Sequence, residues 1–191
     1  MKNDSLSGYY YKYELYKMQL LSEALKLKKY VFYIKEISYE YDICPEILFS
    51  IILIETINRR SFLTRNVECI TCKLFPKLMI RKNISIGIAQ IKIKTAKKIL
   101  PNADDHEIMN LLLDDFNNIK ICAKLIANYL EIINCSQCSF NTRMLNLVKV
   151  YLTGDINSPN YPWINLYKDL LVWSINSNLF NKTFNTYLTL T

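Results

Sequence analysis

The sequence predicts an all-α, mainly helical fold, and three observations carry that expectation. Glycine and proline are scarce, 3 and 5 in 191 residues, which leaves few places for the tight turns of a sheet protein. Leu, Ile, Lys and Glu are abundant, a set that favours helix. Apolar residues recur at helical spacing in several segments. The many Ile and Tyr residues pull towards strands, but that propensity yields to tertiary context. At 51% hydrophobic, the chain is rich enough for a single domain with a real core.

From about Tyr9 to Tyr41, Leu15, Met18, Leu21, Ala24 and Leu25 mark one long amphipathic helix or two shorter ones. Residues 1–40 therefore read as an N-terminal helical extension ahead of a main domain over 41–175. Its tyrosines suit core packing, and secondarily a sugar-binding face. The chain is organised around the next segment, Ile47 to Ile54, which is apolar at almost every position and so predicts a helix buried on all sides. Pro45 is suited to its first turn, and it runs to about Asn58. Arg59 to Lys82 has no clean period and is rich in Arg and Lys, consistent with an irregular or short-helix connection. Asn83 to Gln90 contains Gly87, whose lack of a side chain permits close backbone approach. Lys94 to Leu100 predicts a short helix closed by Pro101, and Asp104 to Leu113 a further one. Asp115 opens a helix reaching Tyr129 or Leu130, with Ile119, Cys122, Ala123, Ile126, Ala127 and Leu130 on its buried face. Met144 to Leu152 is helical and stops near Gly154, and Trp163 to Trp173 is amphipathic. Residues 176–191 are polar and Thr-rich, a tail with little signal.

The formal charge of +7, from 24 Lys+Arg against 17 Asp+Glu, favours an anionic partner: nucleic acid, a membrane surface or a bacterial wall polymer. No apolar run is long enough to span a membrane. Met1-Lys2-Asn3-Asp4 does not begin a signal peptide, so the expectation is synthesis in the cytoplasm and, for a wall-directed protein, export to the periplasm or beyond by another route. Cys69/Cys72 and Cys135/Cys138 form two Cys-x-x-Cys pairs, compatible with zinc, with disulfides after export, or with reduced thiols; their separation exceeds that of a compact zinc ribbon. The expectation is no metal and no cofactor. His106, the single histidine, sits in an acidic stretch that reads as a solvated helix start.

Glu55 closes the apolar helix. A carboxylate there loses hydration and faces the negative end of the helix dipole, and both effects raise its pKa towards what a general acid needs near neutral pH. The competing reading is a helical ion pair with Arg59 at i+4.

Four separated pieces resemble the lysozyme-like superfamily, in particular soluble lytic transglycosylases and goose-type lysozymes. Pro45 to Ile54-Glu55-Thr56 is similar to the family's apolar helix ending in its catalytic Glu, with Thr56 in place of the usual Ser. Gly87-Ile88-Ala89-Gln90, followed by Thr95-Ala96, looks like its Gly-Ile-Ala-Gln turn. Asp115 to Ile119 is similar to the stretch where an Asn-Ile pair opens a core helix, and Val150-Tyr151-Leu152-Thr153-Gly154 looks like Tyr-Asn-x-Gly, with Leu152 where the family has Asn. The resemblance spans about Tyr41 to Tyr167. It implies a lysozyme-like helical domain acting on peptidoglycan glycan strands, with Glu55 protonating the glycosidic oxygen between N-acetylmuramic acid and N-acetylglucosamine. Thr56, Gly87, Ala89, Gln90 and Tyr151 are the implied substrate-binding residues: Gln90 and the Ala89 backbone on the sugar amide, Tyr151 on the Glu55 carboxyl or the sugar. A hydrolase needs a second carboxylate, for which Glu68 and Asp155 are the candidates, or a well-placed water. A lytic transglycosylase needs only the one acid/base and is the preferred outcome. An inhibitor or immunity protein is a further partner that this reading leaves room for.

Two other classes compete. Ile84 to Leu100 can be read as a helix-turn-helix presenting Lys92, Lys94, Lys97 and Lys98 to nucleic acid, although the alternating Ile91-Lys92-Ile93-Lys94 does not suit it and nucleic acid is the less favoured partner. A lysozyme-like scaffold that binds wall polymer without cutting it is the other, and the presence of Glu55 weighs against it.

Overall fold

A computed structural model describes residues 2–58, 62–133 and 138–189. The protein is mainly α. Its elements are α1 (Lys2–Lys26), a 3-10 turn (Leu27–Tyr30), α2 (Val31–Glu40), α3 (Pro45–Asn58), α4 (Phe62–Leu74), α5 (Pro76–Lys82), a two-stranded antiparallel ribbon of β1 (Ser85–Ile86) and β2 (Ile91–Lys92), α6 (Ile93–Lys97), α7 (Asp105–Leu113), α8 (Asp115–Ile132), α9 (Phe140–Thr153), α10 (Pro162–Asn176) and α11 (Leu179–Leu188). Among the described residues no helix is long and apolar enough to cross a membrane.

Helix α3 is the axis. Every residue from Ile47 to Glu55 is buried, and α1, α2, α8, α10 and α11 all pack on it. Sealing side chains such as Phe49, Ile52 and Leu53 from water stabilises the fold by roughly 1.5–3 kcal/mol each. One polar pair interrupts this apolar wall: Ser50 Oγ donates to Ser174 Oγ of α10 at 2.7 Å, so neither hydroxyl is buried without a partner.

Local chemistry sets the ends of the helices. Pro45 and Pro76 open α3 and α5, where a missing N–H costs nothing. Asp104 Oδ1 accepts from the His106 and Glu107 N–H groups at 2.8 Å, Asp114 Oδ1 from Asn117 N–H at 2.8 Å, and Ser139 Oγ from Thr142 N–H at 3.2 Å, capping α7, α8 and α9. Gly154 ends α9 at φ +79°, and its N–H donates to Val150 O at 2.8 Å.

The structure refines or corrects the sequence expectations in four segments. Residues 1–40 do not stand apart: α1 and α2 lie against α3, burying Leu20, Val31 and Ile34 in the common core. Of the irregular and short-helix alternatives expected over 59–82, the described residues from 62 onward take the helical one, as α4 and α5. The expected polar tail contains α11, which buries Leu179, Phe180 and Thr183, with the Phe180 ring edge-on to Phe49 of α3 at 5.6 Å between centroids. Phe180, Phe184 and Tyr187 follow the i, i+4, i+7 spacing of a buried face, a signal hidden among Asn, Thr and Lys. The helix-turn-helix considered for Ile84 to Leu100 does not form, because that stretch is the ribbon followed by the five-residue α6.

Candidate active site

Glu55 lies in the last full turn of α3 and is 7% exposed. Its Oε1 accepts a hydrogen bond from the Tyr167 hydroxyl of α10 at 2.9 Å. Burial is the largest influence and pushes the carboxyl up to about 7, against smaller opposite effects from the hydrogen bonds of Tyr167 and Asn58. The Tyr167 hydroxyl is itself raised well above its usual value, first by burial and then by the charge of Glu55, so it remains a donor across the neutral range. Arg59, the i+4 partner of the ion-pair reading, lies outside the described residues.

The Gly87–Gln90 turn between the two strands is held from below by Asn118. This fully buried side chain accepts from Ala89 N–H at 2.8 Å and donates to Ile86 O at 3.0 Å and Leu112 O at 2.9 Å, filling three of its hydrogen-bonding positions. The close approach requires glycine at 87. A Cβ there would stand 1.8 Å from Asn118 Nδ2, and the backbone is at φ +82°. Gly87 N–H donates to Glu68 Oε1 at 3.0 Å, and Gln90 Nε2 donates to Gly87 O at 2.8 Å with Gln90 itself at φ +49°. From α9 the Tyr151 hydroxyl donates to Ala89 O at 2.7 Å, joining the turn to that helix. Tyr151 also lies 3.7 Å from the buried Cys122 Sγ, and burial pushes that thiol up to about 12, so it stays neutral.

A cleft of about 400 Å³ opens between these parts. It is lined by Glu55 and Asn58 of α3, by Leu125 and Tyr129 of α8, by Val150 to Gly154 at the end of α9, and by residues of the ribbon and α6 segment. This last segment is basic and polar: Asn83, Ser85, Lys92, Lys94, Thr95 and Lys98. An acid that is protonated up to about pH 7 and borders a water-accessible cleft can deliver its proton to a bound leaving group.

Of the residues singled out from the sequence, Glu55, Gln90 and Tyr151 line this cleft. Thr56, Gly87 and Ala89 do not. The Thr56 hydroxyl donates back to Leu53 O at 2.7 Å within its own helix. Gly87 and Ala89 are buried, and the Ala89 N–H and C=O are engaged by Asn118 and Tyr151, so their part is to shape the turn rather than to hold a sugar amide. Tyr151 is tied to that turn, and the hydroxyl on Glu55 belongs to Tyr167. Neither candidate second carboxylate lines the cleft: Glu68 accepts from Gly87 N–H, and Asp155 borders the adjoining pocket with its Oδ1 accepting from Asn157 N–H at 2.9 Å. Cys69 and Cys72 are free thiols on α4, while Cys135 lies outside the described residues. Among the described residues no three His, Cys, Asp or Glu side chains gather where a metal could be held.

Tyr167 and Asn118 escaped the sequence reading as site residues. Asn118 carries a detectable signal, a polar side chain beside Ile119 and Cys122 on the buried face of α8. Comparisons with protein-family models, curated proteins and solved structures found no match to this chain.

Proposed function

We propose that the protein cleaves the β-1,4 glycosidic bond between N-acetylmuramic acid and N-acetylglucosamine in peptidoglycan, as a lytic transglycosylase of lysozyme-like type with Glu55 as its single acid/base. The observation that carries this reading is a buried carboxyl, raised to about 7 beside a Tyr hydroxyl, that lines an open polar cleft. The motif order from Glu55 through Gly87-Gln90 and Asn118-Ile119 to Tyr151 and Gly154 supports it, since all of these segments meet around that cleft or the turn beside it.

In this mechanism the Glu55 proton passes to the bridging oxygen as the muramyl C1–O bond breaks, and the N-acetylglucosamine side leaves as an alcohol. The muramyl 6-hydroxyl then bonds to C1 and returns its proton to the Glu55 carboxylate, so no water is consumed and the acid is regenerated. The Tyr167 hydroxyl supports the transient carboxylate. Among the described residues lining the cleft Glu55 is the one carboxylate, which favours this route over a hydrolase with a second acid.

Digestion of purified peptidoglycan with mass analysis of the products tests the proposal. Anhydromuramyl ends are expected. Reducing ends would mean a hydrolase, and intact glycan would remove the enzymatic reading.

A further inference from the structure

The cleft that Glu55 borders is also lined by three lysines that the mechanism does not use. Lys92 ends β2, Lys94 lies in α6, and Lys98 follows one turn later at i+4 from Lys94. All three are exposed and line the same cavity as Glu55, while the alternate positions Ile91, Ile93, Ala96 and Ile99 are buried. Their neighbour Lys97 differs: its ammonium is engaged by the Ala103 carbonyl. Among the described residues, Lys92, Lys94 and Lys98 have neither an ion pair nor a side-chain hydrogen bond, and no carboxylate other than Glu55 lines the cavity. Like charges one helical turn apart repel, and concentrating three ammonium groups on one side of a cleft raises its potential further. Such an arrangement lowers the energy of a bound anion and leaves a neutral ligand without that gain.

Resting on the proposed glycan-cleaving reading, we infer that Lys92, Lys94 and Lys98 form a carboxylate-recognition wall, so that the cleft selects muramyl glycan bearing free carboxylates over neutral chitin-type glycan. Two sources supply that chemistry, the lactyl carboxylate of glycan stripped of its peptides and the carboxylates of the peptide stems.

The test uses full-length Glu55→Gln protein, which binds without turnover, and measures affinity at low salt for three probes. These are neutral chitotetraose, peptide-stripped muramyl tetrasaccharide and the same tetrasaccharide with its stems. At least one carboxylate-bearing probe is expected to bind about tenfold more tightly than chitotetraose, the scale of a few partly screened ion pairs. The advantage should disappear in a Lys92→Gln/Lys94→Gln/Lys98→Gln background while chitotetraose binding persists. The stripped and stem-bearing arms distinguish the two sources. Equal affinity for neutral and anionic probes, or a preference that survives the triple substitution, would overturn the inference. Tighter binding of a short oligonucleotide than of any glycan would overturn it in favour of nucleic acid. Wild-type cleavage of peptidoglycan separates the two failures: cleavage without carboxylate preference removes the lysine wall alone, whereas absence of both cleavage and glycan binding removes the reading beneath it.

Discussion

On the one hand Glu55, Tyr167 and Tyr151 come from α3, α10 and α9, all three engaged by hydrogen bonds and buried or half-buried. On the other, Lys92, Lys94 and Lys98 come from a two-residue strand and a short helix and stand in solvent. The two are joined by the Gly87–Gln90 turn, which Asn118 and Tyr151 anchor to the buried side. Burial is what raises the carboxyl, so the proposed acid chemistry belongs to the part of the molecule where side chains are locked. Recognition of a charged polymer needs only the potential of exposed groups and tolerates a lighter scaffold.

The strongest way to break this contrast is Glu55→Gln. The amide keeps the shape of the side chain but has no proton to transfer, so a folded variant should lose about 10²–10⁴-fold in glycan cleavage, the usual weight of general acid catalysis. It should still bind sacculi, because the basic side is untouched. Wild-type activity should hold below about pH 7 and fall above it as Glu55 ionises. Full activity in the folded variant would leave Glu55 a structural residue.

The join between the two sides is tested by Gly87→Ala. A methyl group 1.8 Å from Asn118 Nδ2, on a backbone at φ +82°, must displace the amide that satisfies Ala89, Ile86 and Leu112. We expect a loss on the order of 3 kcal/mol, read from the urea midpoint. Asn118→Ala should cost about as much, and the double variant less than the sum, because both remove the same contacts. Independent, additive losses would show that the turn is not held as described.

How much of this was legible in the sequence follows the range of the interactions. An unbroken apolar run with a Glu at its end, helix starts at Asp104 and Asp115 and Gly154 after α9 are local patterns, and each of these predicted elements appears. The pairing of Glu55 with Tyr167 crosses 112 positions, and nothing near either residue announces it. Tyr151, singled out from its motif, lies at the site but spends its hydroxyl on Ala89, because the geometry of three helices decides which tyrosine reaches the carboxyl. Helix α11 was obscured for a different reason, since its few apolar residues sit among Asn and Thr and gain their stability from α3 and α2 rather than from propensity.

The buried side should also carry a signature in folding stability. Glu55 has its carboxyl raised from 4.5 to about 7 in the folded protein, so the folded state binds the proton more tightly than the unfolded one. Its contribution is therefore complete below about pH 4.5 and is lost as pH rises through about 7. Glu55→Gln should match the wild type in stability near pH 4 and exceed it above pH 7 by up to roughly 3 kcal/mol. Denaturation at the two pH values checks this. A variant less stable than wild type at pH 8 would mean that ionised Glu55 is stabilised by a partner strong enough to offset its burial, as the Arg59 reading requires.

The smallest expected effect, and the finest probe of the buried side, is Tyr167→Phe. The hydroxyl donates to Glu55 Oε1 and lowers its pKa against the larger effect of burial. Removing it leaves the ring in place and withdraws support mainly from the ionised carboxylate, so the alkaline limb of the activity profile should move to higher pH. At pH 6 Glu55 is mostly protonated with or without that bond, and the rate there should change only a few-fold. Stability should fall by about 1 kcal/mol, more at pH 8 than at pH 5, because a charged acceptor loses more than a neutral one. The exposed side predicts no such coupling: neutralising Lys94 should alter binding and its salt dependence while leaving the limb where it is. A limb that shifts with Lys94→Gln and not with Tyr167→Phe would invert the division of labour between the two walls.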